Sequence, residues 1–133
     1  MVRVKRRYIL LKLVQDQGQG VQNDFEIKNE IKSHIEKSYG DFGVGCLTRG
    51  FQTKKFDKND GYMIIQLRKG VHEMVMSILP LITRVNEKPC GLSMIHLSGT
   101  LRSSFKELRI HYLHNLRRDI AKQLTISNSK VSV

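Results

Sequence analysis

Residues Val2 to Val14 read VRVKRRYILLKLV, and the second half of that run decides the fold. It is β-branched and leucine-rich, and it stops at the polar, glycine-containing cluster QDQGQG (residues 15–20), which predicts a strand followed by a loop. Alternate residues of a strand face opposite sides, so Ile9, Leu11 and Leu13 lie on one face and Tyr8, Leu10 and Val14 on the other. Both faces are apolar. A sheet with one wet side would alternate apolar with polar residues, so this strand requires cover on both sides.

The rest of the chain supplies that cover. Asn23 with Glu26 three positions later reads as an N-cap with a reaching carboxylate, and Ile27, Ile31 and Ile35 repeat every four residues up to Tyr39 and Gly40, predicting a first helix. Residues 43–56 alternate loosely, KKFDKNDG (54–61) makes a polar turn, and Tyr62 to Leu67 resumes a strand, so the pair reads as a hairpin. In its second arm Met63, Ile65 and Leu67 share one face, leaving Tyr62, Ile64, Gln66 and Arg68 on the other. After Gly70, residues Val71, Met74, Val75, Ile78 and Leu79 mark a second helix that Pro80 disturbs or ends, and Gly91 to Leu97 is a fourth strand. Leu101, Phe105, Leu108, Tyr112 and Leu116 then fall on one stripe of a helix that would run ~36 Å if it continued to Leu124.

The order strand, helix, strand, strand, helix, strand, with one further helix, predicts an α/β (α+β) fold. The plan is ferredoxin-like and RNA-recognition-like: a four-stranded antiparallel sheet, two helices on one face, and a C-terminal helix available for the other. A chain of 133 residues is read as a single domain over 1–125 with a short flexible tail at 126–133.

Lys plus Arg is 23 against 12 Asp plus Glu, a formal net charge of +11, which favours a polyanionic partner with nucleic acid first. Cys46 and Cys90 have no CxxC spacing and the start is not signal-like, which points to a reducing intracellular compartment. The run Tyr8 to Val14 is far shorter than the ~20 apolar residues that cross a bilayer, so no membrane association is expected.

The basic residues form clusters. Arg3, Lys5, Arg6 and Arg7 lead into the first strand, Lys54, Lys55 and Lys58 mark the hairpin, and Arg68 and Lys69 close its second arm. Beside the apolar stripe of the last helix lie Arg102, Lys106 and Arg109, with Arg117, Arg118 and Lys122 further along. That helix begins at HLSGTLRSSF (96–105). Gly99 permits a backbone turn there, Ser98 or Thr100 can cap the helix, and its first N–H groups attract phosphate, with Arg102 adding a charged fork. Taken alone, Gly99 and Thr100 suffice merely to end a strand and start a helix. After Asp60-Gly61 the sequence YMIIQL offers one aromatic, so the base-stacking signature of ordinary RNA-recognition modules is missing. Binding of folded RNA through phosphates, sugars and shape is the expectation.

Nothing in the chain composes a catalytic centre. His111 and His114 are three apart on a helix, yet no nearby carboxylates or cysteines complete a metal site, so they read as surface or RNA-facing. His34 and His72 sit in helices without a nucleophile beside them, His96 falls on the covered sheet face, and Asp57 and Asp60 suit turn chemistry. No catalytic residue, metal or cofactor is expected, and an independent nuclease has little support. An assembly role in another ribonucleoprotein stays open, with Val71, Met74, Met76 and Ile78 on the second helix as an apolar surface for a protein partner.

Three segments also carry a family resemblance: MVRVKRRYILLKL (1–13), ILPLIT (78–83) and HLSGTLR (96–102), in that order. Together they resemble the eukaryotic small basic protein subunits shared by ribonuclease P and ribonuclease MRP, the Pop-five type. The resemblance implies an RNA-recognition-like fold and a partner subunit of barrel-like fold. It implies a place against the catalytic domain of ribonuclease P RNA, and of ribonuclease MRP RNA, in the nucleus and nucleolus. The RNA removes the 5′ leader of precursor tRNA, the MRP particle processes ribosomal RNA precursors, and the protein positions the RNA without being the catalyst.

Overall fold

The computed structural model describes residues 5–15, 23–57, 60–85 and 87–131. Along the chain run β1 (Arg6–Gln15), α1 (Asp24–Thr48), β2 (Gln52–Asp57), β3 (Tyr62–Arg68), α2 (Val71–Ile78), a 3-10 turn (Leu79–Leu81), β4 (Arg84–Val85), β5 (Lys88–Ser98) and α3 (Leu101–Val131). The strands form one antiparallel sheet in the order β2-β3-β1-β5-β4. The sheet therefore has five strands and not four. The addition is the two-residue β4, which pairs Arg84 with Pro89 and Val85 with Lys88 and is too short to leave a periodic signal.

β1 is central, as its doubly apolar sequence requires. Ile9 and Leu11 stand opposite Ile65 and Met63 in the β1–β3 register, and with Leu13 and Leu67 they form a core under α1 and α2. Ile27, Ile31 and Ile35 of α1 and Val75 and Ile78 of α2 complete this core. Each fully buried Ile or Leu here contributes about 1.5–3 kcal/mol of transfer free energy. On the other face Leu10, Tyr62 and Ile64 pack against Leu108 of α3, with Tyr8, Ile95, Leu101, Phe105 and Tyr112 around them. The C-terminal helix does cover the second face.

Two elements depart from the sequence reading. α1 does not end at Gly40: that glycine takes φ 69° and ψ −161°, kinks the helix, and the helix resumes to Thr48. Residues 43–48 are thus helical, and β2 begins only at Gln52. The continuation packs because Gly43 is buried where a Cβ would come within 2.5 Å of the Tyr39 Cβ and 3.1 Å of Ile35 Cγ2. Only a residue without a side chain lets the two halves approach this closely.

α3 is the second departure. It runs past Leu124, through residue 126 where the sequence suggested a tail, to Val131. Leu116, assigned by periodicity to the packed stripe, is 56% exposed, because contact with the sheet ends near Asn115. Polar side chains hold the packed half. The Tyr112 hydroxyl donates to Asp57 Oδ2 at 2.7 Å, Asn115 Nδ2 donates to the Tyr62 hydroxyl at 2.7 Å, and the Tyr62 and Tyr112 rings meet edge to face at 5.3 Å. Asp57 also accepts the Asp60 N–H at 3.3 Å, so one carboxylate closes the hairpin turn and anchors the helix. Burial, and then the neighbouring Asp57 carboxylate, pushes the Tyr112 hydroxyl well above the usual phenol range.

Candidate nucleic-acid interface

One end of the sheet gathers what the sequence spreads over four segments. Arg6 at the start of β1 pairs directly with Arg68 at the end of β3, and the Lys69 N–H donates to the Lys5 carbonyl at 2.9 Å. β5 ends on the same side, with Ser98 opposite Tyr8, so the junction into α3 falls beside Arg7. The Arg7 guanidinium lies 3.4 Å from where a Cβ of Gly99 would stand. Arg102 follows in the first turn of α3. Lys5, Arg6, Arg7, Arg68, Lys69 and Arg102 thereby form a basic rim.

Among the described residues the rim has no internal counter-charge. Among the described residues the ion pairs are His34 with Glu30 and His111 with Glu107, and none of the rim cations is paired with a carboxylate. Arg6 and Arg68 are like charges in directly opposed positions, an arrangement that costs stability unless an anion from outside lies between them.

The SGT junction differs in detail from its sequence reading. Thr100 is the cap: its Oγ1 accepts the Ser103 N–H at 3.3 Å. Ser98 instead braces the corner, donating to the Thr100 carbonyl at 2.8 Å and bonding the buried Ser104 hydroxyl at 2.7 Å. Gly99 does not take a positive φ; the positive-φ glycines of the described residues are Gly40, Gly50, Gly61 and Gly70. The Arg7 guanidinium passes Gly99 at a distance that a Cβ would meet as ordinary contact, so the corner does not depend on an unusual glycine turn. Outside the junction an open depression of about 960 Å³ is lined by Thr100, Arg102, Ser103, Phe105, Lys106 and Arg109, and the first turn of α3 carries no acidic residue. Three cations and a helix N-terminus facing one depression suit a phosphate.

Arg49, at the C-terminal end of α1, belongs to the rim and was missed in sequence. Together with Phe42, Cys46, Arg68, Lys69 and Val71 it lines a second depression of about 470 Å³, and a Cβ on the adjacent Gly50 would stand 3.3 Å from Arg68 Cγ. The kink at Gly40 carries α1 to this end of the sheet, and no run of basic residues marks the position.

The remaining sequence candidates lie elsewhere. Lys54 and Lys55 are on the free edge of β2, where Lys54 Nζ donates to Gln52 Oε1 at 3.1 Å. Arg117 and Arg118 are exposed on the half of α3 beyond the sheet. Arg3, like Lys58, lies outside the described residues. The apolar set on α2 is not a free surface: Ile78 is 1% exposed within the core, and Val71, Met74 and Met76 pack against it. Val75 and Ile78 face the core, and Val71, Met74 and Met76 are half-buried at its margin.

Base stacking on the sheet is closed off. Tyr62, the one aromatic of β3, is 1% exposed beneath α3, with His111 and Tyr112 beside it. His72 accepts the Gly70 N–H at 3.0 Å through Nδ1, which closes the turn into α2. His96 stands opposite Leu10 on the face that α3 covers. Burial raises the Cys90 thiol above its ordinary value. Among the described residues no three His, Cys, Asp or Glu side chains are grouped to hold a metal ion, and no helix is long and apolar enough to cross a membrane.

The chain is similar to known proteins in sequence and in fold. Ribonuclease P/MRP protein subunit POP5 of Homo sapiens is 31% identical over 114 residues, covering 81% of this chain and 70% of the relative. The subunit of the same name from Danio rerio is 29% identical over 126 residues, covering 89% and 75%. A probable subunit from Arabidopsis thaliana is 25% identical over 111 residues, covering 77% and 74%. A chain of the cryo-EM structure of yeast ribonuclease MRP has the same fold, with a TM-score of 0.61 at 15% identity over 88% of this chain and 98% of that one. The profile of the Rpp14/Pop5 family matches residues 7–109, from the rim arginine of β1 to the last cation of the α3 depression, and the chain belongs to that family.

Proposed function

We propose that this protein is a subunit of ribonuclease P, and of ribonuclease MRP, that grips the structured RNA of the particle through its basic rim. The observation that carries the reading is the convergence of unpaired cations from β1, β3, the end of α1 and the start of α3 on one end of the sheet. The relatives named above are subunits of those particles. Phosphates and sugars of folded RNA would occupy the rim, since the sheet face is sealed by α3. The protein then positions the RNA for removal of the 5′ leader of precursor tRNA, and for ribosomal RNA processing in the MRP form. It works in the nucleus and nucleolus beside a barrel-fold subunit.

Recovery of the tagged protein from its own cells, with sequencing of crosslinked RNA and assay of the eluate on precursor tRNA, tests this reading. Ribonuclease P RNA with leader-removing activity supports it, and diverse RNA without that activity refutes it. With about five phosphates engaged, the affinity of the purified chain for that RNA falls with salt at a log–log slope of roughly −3.5 to −4.5. Arg6→Glu, Arg68→Glu and Arg102→Glu together flatten that slope, whereas Lys54→Glu with Lys55→Glu leaves most of it.

A further inference from the structure

The outward face of α3 carries a second surface of opposite chemistry. Ile110, Leu113, Leu116, Ile120 and Leu124 are each 40–59% exposed. At 3.6 residues per turn they fall within an arc of roughly 120°, and the stripe runs ~21 Å from first to last. Arg102, Lys106 and Arg109 lie in the same arc on the earlier turns. The outward face of one helix is therefore basic over its first turns and apolar from Ile110 onward, past the edge of the sheet. Spacings of three and four residues from Leu113 to Leu124 are those of a helix-packing seam.

A run of five large apolar side chains left open to water on one helix face marks an interaction surface. We infer that this stripe docks an amphipathic helix of a different protein, one whose apolar seam is bordered by carboxylates. Charge selects that occupant. Arg109 and Arg117 sit inside the arc, continuing Arg102 and Lys106, whereas Arg118 and Lys122 lie on the opposite side of the helix and the single carboxylate between residues 109 and 124, Asp119, lies roughly 60° outside the arc. A second copy of this chain would bring the same cations and a net charge of +11 to the contact, which repels. RNA is a poor match for isoleucine and leucine side chains that need an apolar partner. The inference stands on the exposure and charge of α3 and not on the RNA reading of the rim.

A photocrosslinking residue placed singly at Leu116, Ile120 and Leu124 in the full chain, within its own cells, tests it, with Arg118 as the control position. The expected result is a crosslink from the three stripe positions, weaker from Arg118, to one segment of a different protein that has heptad-spaced apolar residues bordered by Asp or Glu. Crosslinks to RNA, to another copy of the chain, or to nothing above the Arg118 level overturn the proposal. Leu116→Asp with Ile120→Asp serves as the second measurement. Both side chains are exposed, so the variant keeps the parent's thermal unfolding and salt-dependent RNA binding, while recovery of the crosslinked protein drops at least tenfold. Unchanged recovery also overturns it.

Discussion

The two faces of the sheet are buried by different means. Under α1 and α2 the core is aliphatic, with Ile9, Leu11, Ile65 and Leu67 fully buried against Ile27, Ile31 and Ile35. Under α3 the buried set is small, and hydroxyl, carboxylate and amide groups do part of the holding through Tyr112 with Asp57, Asn115 with Tyr62 and Ser98 with Ser104. Apolar burial is non-directional and sets stability, while hydrogen bonds are weak in net energy but fix orientation. The first face makes the fold; the second aims a helix whose start completes the basic rim and whose end projects.

Substitutions on the two faces should therefore differ in size and in kind. Ile65→Ala, in the centre of the first core, is expected to lose about 3–4 kcal/mol in denaturant unfolding, with all probes reporting one transition. Leu108→Ala removes the main apolar anchor of α3 and is expected to lose about 2–3 kcal/mol. Its signature is loss of the near-ultraviolet signal of Tyr62 and Tyr112 with most sheet signal kept. Equal loss of both signals would mean that the faces are one cooperative unit.

Tyr112→Phe leaves the ring and removes the bond to Asp57, for an expected loss of about 1 kcal/mol. The same pair gives a pH dependence. The Tyr112 hydroxyl has a higher pKa folded than unfolded, so above pH about 10 the unfolded chain releases its proton first and stability falls as pH rises. Alkaline titration of the parent protein should show this fall beyond that of Tyr112→Phe, and identical profiles would remove Tyr112 from the account. The smallest effect is kinetic. Cys90, buried in the first core with its thiol pKa raised, should alkylate more slowly than half-exposed Cys46. Ile65→Ala should speed Cys90 labelling, and Leu108→Ala should leave it near the parent rate.

Much of this architecture was legible from residue order. The doubly apolar β1 demanded two covers, and the stripe from Leu101 to Tyr112 supplied the second. What sequence concealed was where regular elements stop touching their neighbours. Leu116 continues the same periodicity as Leu108 and Tyr112, yet it lies past the edge of the sheet. Gly40 read as a helix end because glycine often ends helices, while the buried Gly43 and Leu47 that resume α1 gain their meaning only from packing. The candidate site divided likewise: its basic residues were visible one cluster at a time, without a rule for sorting rim from edge strand or from projecting helix.

The sequence by itself determined the order of elements, the faces of β1 and β3 and the excess of positive charge, because periodicity and composition are local properties. The tertiary structure decided which cations meet. Antiparallel pairing sets Arg6 against Arg68, the kink in α1 brings Arg49 to them, and the corner at Ser98 starts α3 beside Arg7. It also decided that half of one amphipathic helix is spent on the core and half remains open, since the length of the sheet, and not the helix's own pattern, sets where burial ends.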